Sequence, residues 1–329
     1  MNILIFRLSA IGDIIMASGI LPCIKNHYPS ANITWVVQQE YKTLIEHSPY
    51  IDSVIPIKRK ELSILLKSGK IGNFIKECFT TISSIRKKRY NLVLDLQGIW
   101  KSGIWSLFAI GKNRIVVDPK EGVGILYKKK ILSNPFDKQI GAEYKLVLNA
   151  LSISNDKYML GINTQDPPIQ LNDRFVVLCP FTTRAQKFWI DDYWKEIVKY
   201  IRSRGYKLVV LGGPSDKTLV KKIFSDFSDI VNLVGRLTIN QCLGVIKGAS
   251  AVIGVDTGLT HGSMLLKRPT IAIFGSTCPY LDTGFNNGVV LYEKMWCSPC
   301  KRNPTCKGEM ECMKNITPRK VISILENWL

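Results

Sequence analysis

The strongest constraint in this chain is an alternation of short apolar runs with amphipathic stretches. In the first half, the run at 91–98 (NLVLDLQG) is apolar on both faces until it reaches Asp95, as expected of a buried strand. The segment at 14–28 has helical character instead. Strands separated by helices of this length indicate βαβ units and a parallel sheet. The predicted strands of this half are 3–6, 32–38, 54–57 and 91–98.

The same alternation begins again after a polar, proline-containing segment at 163–174, which predicts a linker. Gly205 follows the first helix of this half, where a C-terminal glycine is common. The sequence therefore predicts an α/β protein with two Rossmann-like domains, at 1–162 and 175–329, whose parallel sheets face each other across a cleft. The predicted strands of the second half are 174–180, 206–214, 229–235, 251–256 and 270–275, and the predicted helices are 191–204, 216–227, 238–248 and 259–267.

The chain carries a large positive charge. Its 329 residues include 45 Lys and Arg against 26 Asp and Glu, a formal net charge of +19. Such a surplus favours nucleic acid, an anionic membrane or a phosphorylated substrate, and does not choose among them. The amino-terminal segment lacks the features of a secretion signal, and no run approaches the roughly 18 apolar residues of a membrane span. We therefore expect a cytoplasmic protein whose membrane contact is peripheral.

Polar side chains follow three predicted strands of the second half. Open α/β sheets bind ligands at the carboxyl ends of their strands, and a helix amino terminus attracts anions. Together these positions predict a diphosphate site. Taken singly, Thr182, Asp216 and Asp256 are better explained as helix caps, and His261 as a packed core histidine. The residues concerned are Thr182, Thr183 and Lys187 after the first strand, Asp216 after the second, and Asp256, Thr257 and Gly258 after the fourth.

The first half also has polar residues at strand ends. In SAIGD, Gly12 is expected to allow a tight turn, and Asp13 is expected at the mouth of the first strand, where the residues alone favour a helix cap. DLQGIWKS places Asp95, Gln97 and Lys101 after another strand. Basic runs lie at 57–60, 86–89 and 128–130, and most such runs are solvated faces.

These motifs resemble glycosyltransferase family 9, the ADP-heptose:lipopolysaccharide heptosyltransferases of bacteria. The resemblance extends over nearly the whole chain. It implies a GT-B fold that binds the sugar donor in the carboxyl-terminal domain and the acceptor in the amino-terminal domain. It also implies transfer of heptose from ADP-heptose to 3-deoxy-octulosonic acid (Kdo) in the lipopolysaccharide inner core. The motifs are LSAIGDIIMASGILPCIKNHYP, FTTRAQKFW, VVLGGPSD and GVDTGLTHGSMLLKRPTIAIFGST.

The resemblance also assigns roles to single residues. Asp13 would be the general base of an inverting transfer, and Lys187 would stabilise the departing diphosphate. Asp216 stands where the family has its ribose-binding acidic residue, often a Glu. The donor-binding residues would be Thr182, Thr183, Lys187, Asp216, Asp256, Thr257, Gly258 and His261. The acceptor-binding residues would be Ser9, Gly12, Lys58, Arg59, Lys60, Gln97 and Lys101.

Catalysis is expected to need no metal, because no DxD motif occurs in the chain. Four cysteines near the carboxyl end form the separate pattern C-x2-C-x5-C-x5-C. One interpretation is a structural zinc site, and the other is a set of reduced thiols or a structural pair. The four are Cys297, Cys300, Cys306 and Cys312.

Three alternatives remain open. The first is an enzyme of the same fold that uses another nucleotide sugar or a later core acceptor, or that epimerises a nucleotide sugar. A dinucleotide dehydrogenase is disfavoured because no G-x-G-x-x-G follows the first strand. A non-catalytic nucleic-acid-binding protein would use the charge, but the chain lacks the usual signatures. The partners that the family resemblance implies are ADP-heptose, a Kdo-lipid A or lipopolysaccharide core acceptor, and the anionic inner membrane, and we expect no nucleic-acid partner.

Overall fold

The computed structural model describes residues 1–171, 174–300, 303–304 and 306–329. The chain forms two compact units. Unit 1 contains Met1–Asp137 and Gly141–Asn163, and unit 2 contains Lys138–Ile140 and Thr164–Leu329. The boundary at residue 163 coincides with the start of the predicted linker, whose positions 172 and 173 lie outside the described residues. The finer domain limits stay a prediction.

Unit 1 is built on a six-stranded parallel sheet in the order β3-β2-β1-β4-β5-β6. β1 lies at its centre, where Leu4 pairs with Thr34 on one side and Val93 on the other. This is the doubly wound arrangement predicted from the alternation of runs. The strands are β1 (Asn2–Phe6), β2 (Asn32–Gln38), β3 (Ser53–Ile57), β4 (Arg89–Asp95), β5 (Ile110–Val117) and β6 (Lys129–Ile131).

The predicted helix at 14–28 is two helices that meet at Gly19. A Cβ on Gly19 would lie 2.5 Å from the Tyr158 ring, so only glycine allows this close approach. Pro22 then falls in the first turn of the second helix, where its missing N–H costs little. The helices of unit 1 are α1 (Ile11–Ser18), α2 (Ile20–His27), α3 (Lys42–Ile45), α4 (Arg59–Lys67), α5 (Ile71–Arg86), α6 (Trp100–Leu107) and α7 (Ala142–Ala150).

Helices α4, α5 and α6 cover one face of the unit 1 sheet. Leu62 of α4, Ile85 of α5 and Trp105 of α6 belong to a single apolar cluster. The sheet contributes Leu4, Phe6, Val36, Ile55 and Val93 to the same cluster, and alternate residues of neighbouring strands point to that face. The three helices therefore form one layer.

Unit 2 is a second six-stranded parallel sheet, in the order β12-β11-β10-β7-β8-β9. Buried Trp189 and Trp194 pack edge to face beside it. Its strands are β7 (Phe175–Cys179), β8 (Lys207–Val210), β9 (Val231–Asn232), β10 (Ala251–Val255), β11 (Thr270–Phe274) and β12 (Gly288–Tyr292). Its helices are α8 (Asp191–Ser203), α9 (Lys217–Phe224), α10 (Ile239–Gly248), α11 (Gly258–Leu265), α12 (Glu311–Lys314) and α13 (Pro318–Leu325).

The predicted α/β class with two parallel sheets is confirmed, with local differences. The predicted strand at 229–235 is only two residues long, because the backbone turns after Asn232, whose side chain accepts a hydrogen bond from the N–H of Val234. A segment from the first half of the chain, Lys138–Ile140, pairs with residues 281 and 282 of unit 2. In the described part of the chain, no helix is long and apolar enough to cross a membrane.

Candidate active site

A buried carboxylate, that of Asp256, organises the strand ends of unit 2. β10 pairs with β7, so the loop after β10 lies beside the loop that carries Lys187. Oδ2 of Asp256 lies 2.6 Å from Nζ of Lys187 and accepts a hydrogen bond from Thr277. Oδ1 lies 3.1 Å from Nε2 of His261. The structure thus brings the predicted residues Lys187, Asp256 and His261 together, and it places Lys187 in an ion pair with Asp256.

His261 is held on both sides of its ring. Its Nδ1 lies 2.9 Å from the hydroxyl oxygen of buried Tyr280. Because the carboxylate of Asp256 only accepts hydrogen bonds, Nε2 of His261 carries the proton between them. Tyr280 and Thr277 lie beyond the last predicted strand, and sequence reasoning missed both.

The environment keeps Asp256 ionised. Burial by itself raises the pKa of this carboxyl, but His261 and Lys187 outweigh burial and hold that pKa well below its usual range. Unit 2 thus contains a fixed negative charge whose cationic partner sits at the strand ends. A lysine has three N–H donors, and one contact with Asp256 leaves the others able to bind a further anion.

The amino terminus of α11 lies next to this carboxylate. Thr257 is the N-cap residue, but its side chain makes no capping hydrogen bond, so the first-turn N–H groups beginning at Gly258 are not satisfied by it. Thr182 donates a 3.3 Å hydrogen bond to the Asp256 carbonyl, and Thr183 is exposed. Of the predicted residues, Thr257 and Gly258 thus form a helix terminus of the kind that binds phosphate, and Thr182 contacts the residue just before it.

Asp216 closes the turn after β8. Its Oδ2 accepts a 2.8 Å hydrogen bond from the N–H of Gly213, and the residue stands at the N-cap position of α9. Asp216 therefore holds the N-cap position, but its side chain makes no capping hydrogen bond to α9 and instead reaches back to the preceding turn. The side chain is half-buried.

In unit 1, Asp13 is held by an arginine that the sequence motifs did not single out. Nη2 of Arg7 lies 2.8 Å from Oδ2 of Asp13, and the same oxygen accepts from the N–H of Ala10 at 3.1 Å. Arg7 itself is buried and also donates to the carbonyl of Leu96. In the described residues, Oδ1 of Asp13 has no partner, and the side chain is 41% exposed. One carboxylate oxygen is therefore fixed while the other is free.

Gly12 does not form the tight turn that the sequence analysis expected. It lies in the first turn of α1 with helical backbone, because α1 begins at Ile11. Ser9 lies in the preceding loop and is half-buried. The side chain of Asp13, two residues into the helix, reaches back to the amide of Ala10, as acidic residues at this position commonly do.

The loop after β4 is tied to the end of β1. The side-chain carbonyl of Gln97 accepts a 2.7 Å hydrogen bond from the N–H of Leu8. Buried Asp95 accepts from the N–H groups of Gln97 and Gly98 and from the hydroxyl of Tyr127. Burial raises the pKa of the Asp95 carboxyl. Gln97 thus lies close to the Asp13 loop, while Asp95 is a structural residue.

The predicted basic acceptor residues differ in their availability. Lys58 lies 3.1 Å from Glu77, and Lys60 lies 3.3 Å from Glu40, so both already have carboxylate partners. Arg59 and Lys101 are exposed in the first turns of α4 and α6. Since β1, β3 and β4 all end at the same edge of the sheet, these residues lie on the same side of unit 1 as Asp13.

The four carboxyl-terminal cysteines do not form a zinc site in the residues that the structure describes. No group of three or more His, Cys, Asp or Glu there is arranged to hold a metal ion. Cys312 is buried in α12, while Cys297, Cys300 and Cys306 are half-buried, and all four are free thiols. The reduced-thiol interpretation fits this geometry, and the zinc interpretation does not.

The sequence profile of glycosyltransferase family 9 (heptosyltransferase) matches residues 79–310, which is more than two thirds of the chain. The chain belongs to this family. The predicted family resemblance is thereby confirmed, and this family 9 protein is a glycosyltransferase.

Relatives of this family 9 enzyme align along almost its full length. Lipopolysaccharide heptosyltransferase 1 of Salmonella typhimurium is 24% identical over 314 residues, which cover 91% of this chain and 95% of the relative. The Pseudomonas aeruginosa protein of the same name is 23% identical, with 100% and 98% coverage. Lipopolysaccharide heptosyltransferase 3 of Escherichia coli is 22% identical, with 89% and 88% coverage.

Solved structures share the fold. Escherichia coli heptosyltransferase WaaC with ADP-2-deoxy-2-fluoro heptose superposes with a TM-score of 0.77 at 21% identity, covering 99% of both chains. A family 9 glycosyltransferase of Veillonella parvula gives a TM-score of 0.82 at 17% identity, covering 99% of this chain and 96% of its own. At these identities the likeness establishes the fold, and it confirms the predicted GT-B class.

Proposed function

We propose that this enzyme transfers heptose from ADP-heptose to a Kdo residue of the lipopolysaccharide inner core, with inversion and without a metal ion. Relatives at 22–24% identity over most of the chain bear the name lipopolysaccharide heptosyltransferase. One related structure holds ADP and another an ADP-heptose analogue. The observation in this chain that carries the proposal is the state of Asp13: one oxygen is fixed by Arg7 and the other is free to accept a proton.

In the proposed reaction, Oδ1 of Asp13 removes the proton from the acceptor hydroxyl. The hydroxyl oxygen attacks the anomeric carbon of the heptose, a new C–O bond forms, and the bond from that carbon to the diphosphate oxygen breaks. Attack on the face opposite ADP inverts the configuration. The Arg7 ion pair holds the carboxylate in one orientation, which favours proton transfer at a positioned base.

The departing ADP gains negative charge, and we assign its stabilisation to unit 2. The ammonium of Lys187 is oriented by Asp256, and the terminus of α11 supplies backbone N–H groups beginning at Gly258. Donors of this kind, fixed before reaction, are each worth about 2.7–4 kcal/mol in other enzymes. Thr182 and Thr183 add hydroxyls, Asp216 is assigned to the ribose, and His261 orients Asp256.

For the acceptor we assign Ser9, Gln97, Arg59 and Lys101, which lie at the strand ends of unit 1 near Asp13 or on the same edge. Gly12 contributes through the position of α1. Lys58 and Lys60 are already paired with Glu77 and Glu40, so their binding of Kdo carboxylates requires exchange of partners. We further propose that the enzyme works at the cytoplasmic face of the inner membrane, where its net charge of +19 is attracted to anionic lipid.

The proposal is tested by incubating the protein with ADP-heptose, or with UDP- and GDP-sugars, and deacylated acceptors that carry one or two Kdo residues. We expect ADP release only with ADP-heptose and an acceptor whose mass rises by one heptosyl residue. Transfer from a UDP- or GDP-sugar in place of ADP-heptose would overturn the donor assignment. Reaction only with a longer core oligosaccharide would overturn the acceptor assignment.

A further inference from the structure

The α4–α6 layer exposes large apolar side chains to solvent in two stripes. On α5, Ile71, Ile75 and Phe79 are spaced four residues apart and lie on one face of the helix. On α6, Trp100, Ile104 and Leu107 have the same kind of spacing. We call these six residues the apolar face. Phe79 is 70% exposed and Ile75 is 60% exposed, so they are not needed by the core of unit 1.

The apolar face is additional to the face with which α5 packs on the sheet. Phe74, Cys78 and Ile85 make the packing contacts with the sheet. At 100° per residue, the stripe that begins at Ile71 lies about a quarter turn from this packed stripe. Helix α5 thus has two apolar stripes, of which the unit buries only one. α4, which packs beside α5, adds exposed Ile64 and Leu66.

The segment that carries the α5 stripe is strongly basic. The segment 58–89 contains ten Lys and Arg against two Glu, a surplus of eight positive charges. Lys67, Lys70, Lys76, Arg86 and Lys87 in this segment are all exposed. Lysine is depleted at the centres of protein–protein interfaces, whereas apolar stripes flanked by lysine and arginine are typical of helices that lie in the headgroup region of an anionic bilayer.

We propose that the apolar face inserts into the surface of an anionic bilayer, with the basic residues of α4 and α5 on the lipid headgroups. This inference rests on the proposed function, since a lipid-anchored acceptor has to be met at a membrane. It goes further by naming the surface. Insertion of two or three large side chains is shallow and reversible, and the electrostatic contribution makes it sensitive to salt.

The test is co-sedimentation of the full-length protein with vesicles of phosphatidylglycerol and phosphatidylethanolamine, or of phosphatidylcholine alone. We expect binding to the anionic vesicles that weakens as salt is raised. The double variant Ile75→Ser, Phe79→Ser should bind at least about tenfold less well. Burial of even one large apolar side chain in the bilayer raises the affinity for the vesicle by about this factor. Lys76→Gln should weaken binding about fivefold, as removal of one charge near the surface does.

Trp296→Ser is the matched control, because Trp296 is also highly exposed but belongs to unit 2; it should bind like the wild type. A second measurement uses Phe79→Trp, whose fluorescence should shift to the blue and be quenched by brominated lipid in anionic vesicles. Unchanged vesicle binding by the Ile75, Phe79 double variant, or no quenching of Trp at position 79, overturns the proposal. The proposal is also overturned if the wild type does not bind anionic vesicles and the apolar face binds another protein instead.

Transfer assays separate this proposal from the proposed function. The double variant should retain wild-type turnover on a deacylated, water-soluble acceptor, and should lose turnover on acceptor embedded in vesicles. If the wild type binds anionic vesicles through the apolar face but transfers no heptose, the proposed reaction fails and the docking surface stands. Equal turnover by variant and wild type on the embedded acceptor counts against the docking surface alone.

Discussion

The ammonium of Lys187 lies 2.6 Å from the carboxylate of Asp256, and both groups are largely removed from solvent. The carboxylate also contacts His261 and Thr277, so it is the common partner of three side chains from three segments of unit 2. Ion pairs of this kind fix orientation more than they add stability. The lysine expected to meet a diphosphate is therefore held in place by unit 2 itself.

Replacement of the Asp256 carboxylate should show how far the stability of unit 2 depends on this ion pair. Asp256→Asn removes the charge that Lys187 and His261 face, and breaking a buried pair in this way costs about 3–5 kcal/mol. The midpoint of thermal unfolding should fall, as measured by calorimetry. Asp282→Asn, at an exposed position of the same unit, serves as the control and should change the midpoint little. An Asp256→Asn midpoint equal to that of the wild type would show that the Asp256 carboxylate does not contribute to the stability of the folded protein.

The pH dependence of this effect has a defined sign. The pKa of Asp256 is lower in the folded protein than its ordinary value of about 4. Its contribution to stability is therefore complete above about pH 4 and is lost as the pH falls through the folded pKa. The difference in midpoint between the wild type and Asp256→Asn should be constant from pH 7 to pH 5 and shrink below pH 4. Loss of the difference already at pH 6 contradicts the assignment.

The base assignment predicts a separation of turnover from binding. Asp13→Asn keeps the size of the side chain and its contact with the Ala10 amide, but no longer accepts a proton. We expect kcat to fall about 10²–10⁴-fold, the usual effect of losing a positioned base, while ADP binding measured by calorimetry stays unchanged. Asp118→Asn, at another carboxylate of unit 1, is the control. Normal turnover in Asp13→Asn refutes the role of Asp13.

Arg7 should act through Asp13. Arg7→Met removes the contact with Oδ2 of Asp13 and with the Leu96 carbonyl. We expect a lower kcat, with KM for ADP-heptose unchanged, because the Asp13 carboxylate loses the 2.8 Å contact that orients it. A purely structural role would lower stability and leave kcat of the folded variant at the wild-type value.

Two glycines give opposite predictions for the same substitution. Gly19→Ala places a Cβ 2.5 Å from the Tyr158 ring, and overpacking of this kind costs about 1–3 kcal/mol. Gly72→Ala lies in α5 with no atom within 4 Å of the new Cβ, and should stabilise by about 0.5–1 kcal/mol. Thermal midpoints should move in opposite directions. A rise in the midpoints of both variants would mean that the Tyr158 ring moves aside without loss of stability.

The cysteines should differ in reactivity. Burial raises the pKa of the Cys242 thiol to about 12, while backbone N–H groups of Met310 and Gly308 lower the pKa of Cys306. Because the thiolate reacts, iodoacetamide at pH 7 should label Cys306 well before Cys242. Mass spectrometry of the labelled peptides measures both. Faster labelling of Cys306 after treatment with a chelator would show that a metal ion had been protecting it.

The grouping of the donor-site residues was predictable because parallel strands bring their carboxyl ends to one edge. The pairing of β7 with β10 places Lys187 next to Asp256, and both follow apolar runs that the sequence shows plainly. Tyr280 was not predictable, because it follows β11 within an irregular segment that has no periodic pattern. Arg7 was missed for another reason. A charged residue at the end of an apolar run predicts where the strand ends, but it does not predict which side chain the charged group contacts.

The helices of the α4–α6 layer escaped the sequence analysis for a related reason. α5 has apolar residues on two stripes, so its periodicity is less distinct than that of a helix with a single buried face. In contrast, α8 has one apolar stripe around buried Trp194 and Ile197, and its predicted bounds differ from the observed ones by one residue. Exposed apolar side chains therefore make the spacing of the buried ones harder to recognise in the sequence.

The segment Lys138–Ile140 has a practical consequence for anyone who divides this protein. The N–H of Ile140 donates to the carbonyl of Asp282, and Leu281 and Asp282 donate to the carbonyl of Lys138. A fragment started at Thr164 leaves these backbone groups of the 281–282 stretch without their native partners, although every strand of its sheet is present. Expression of the donor half by itself therefore calls for a circularly permuted or co-expressed design that returns the missing tripeptide to its place.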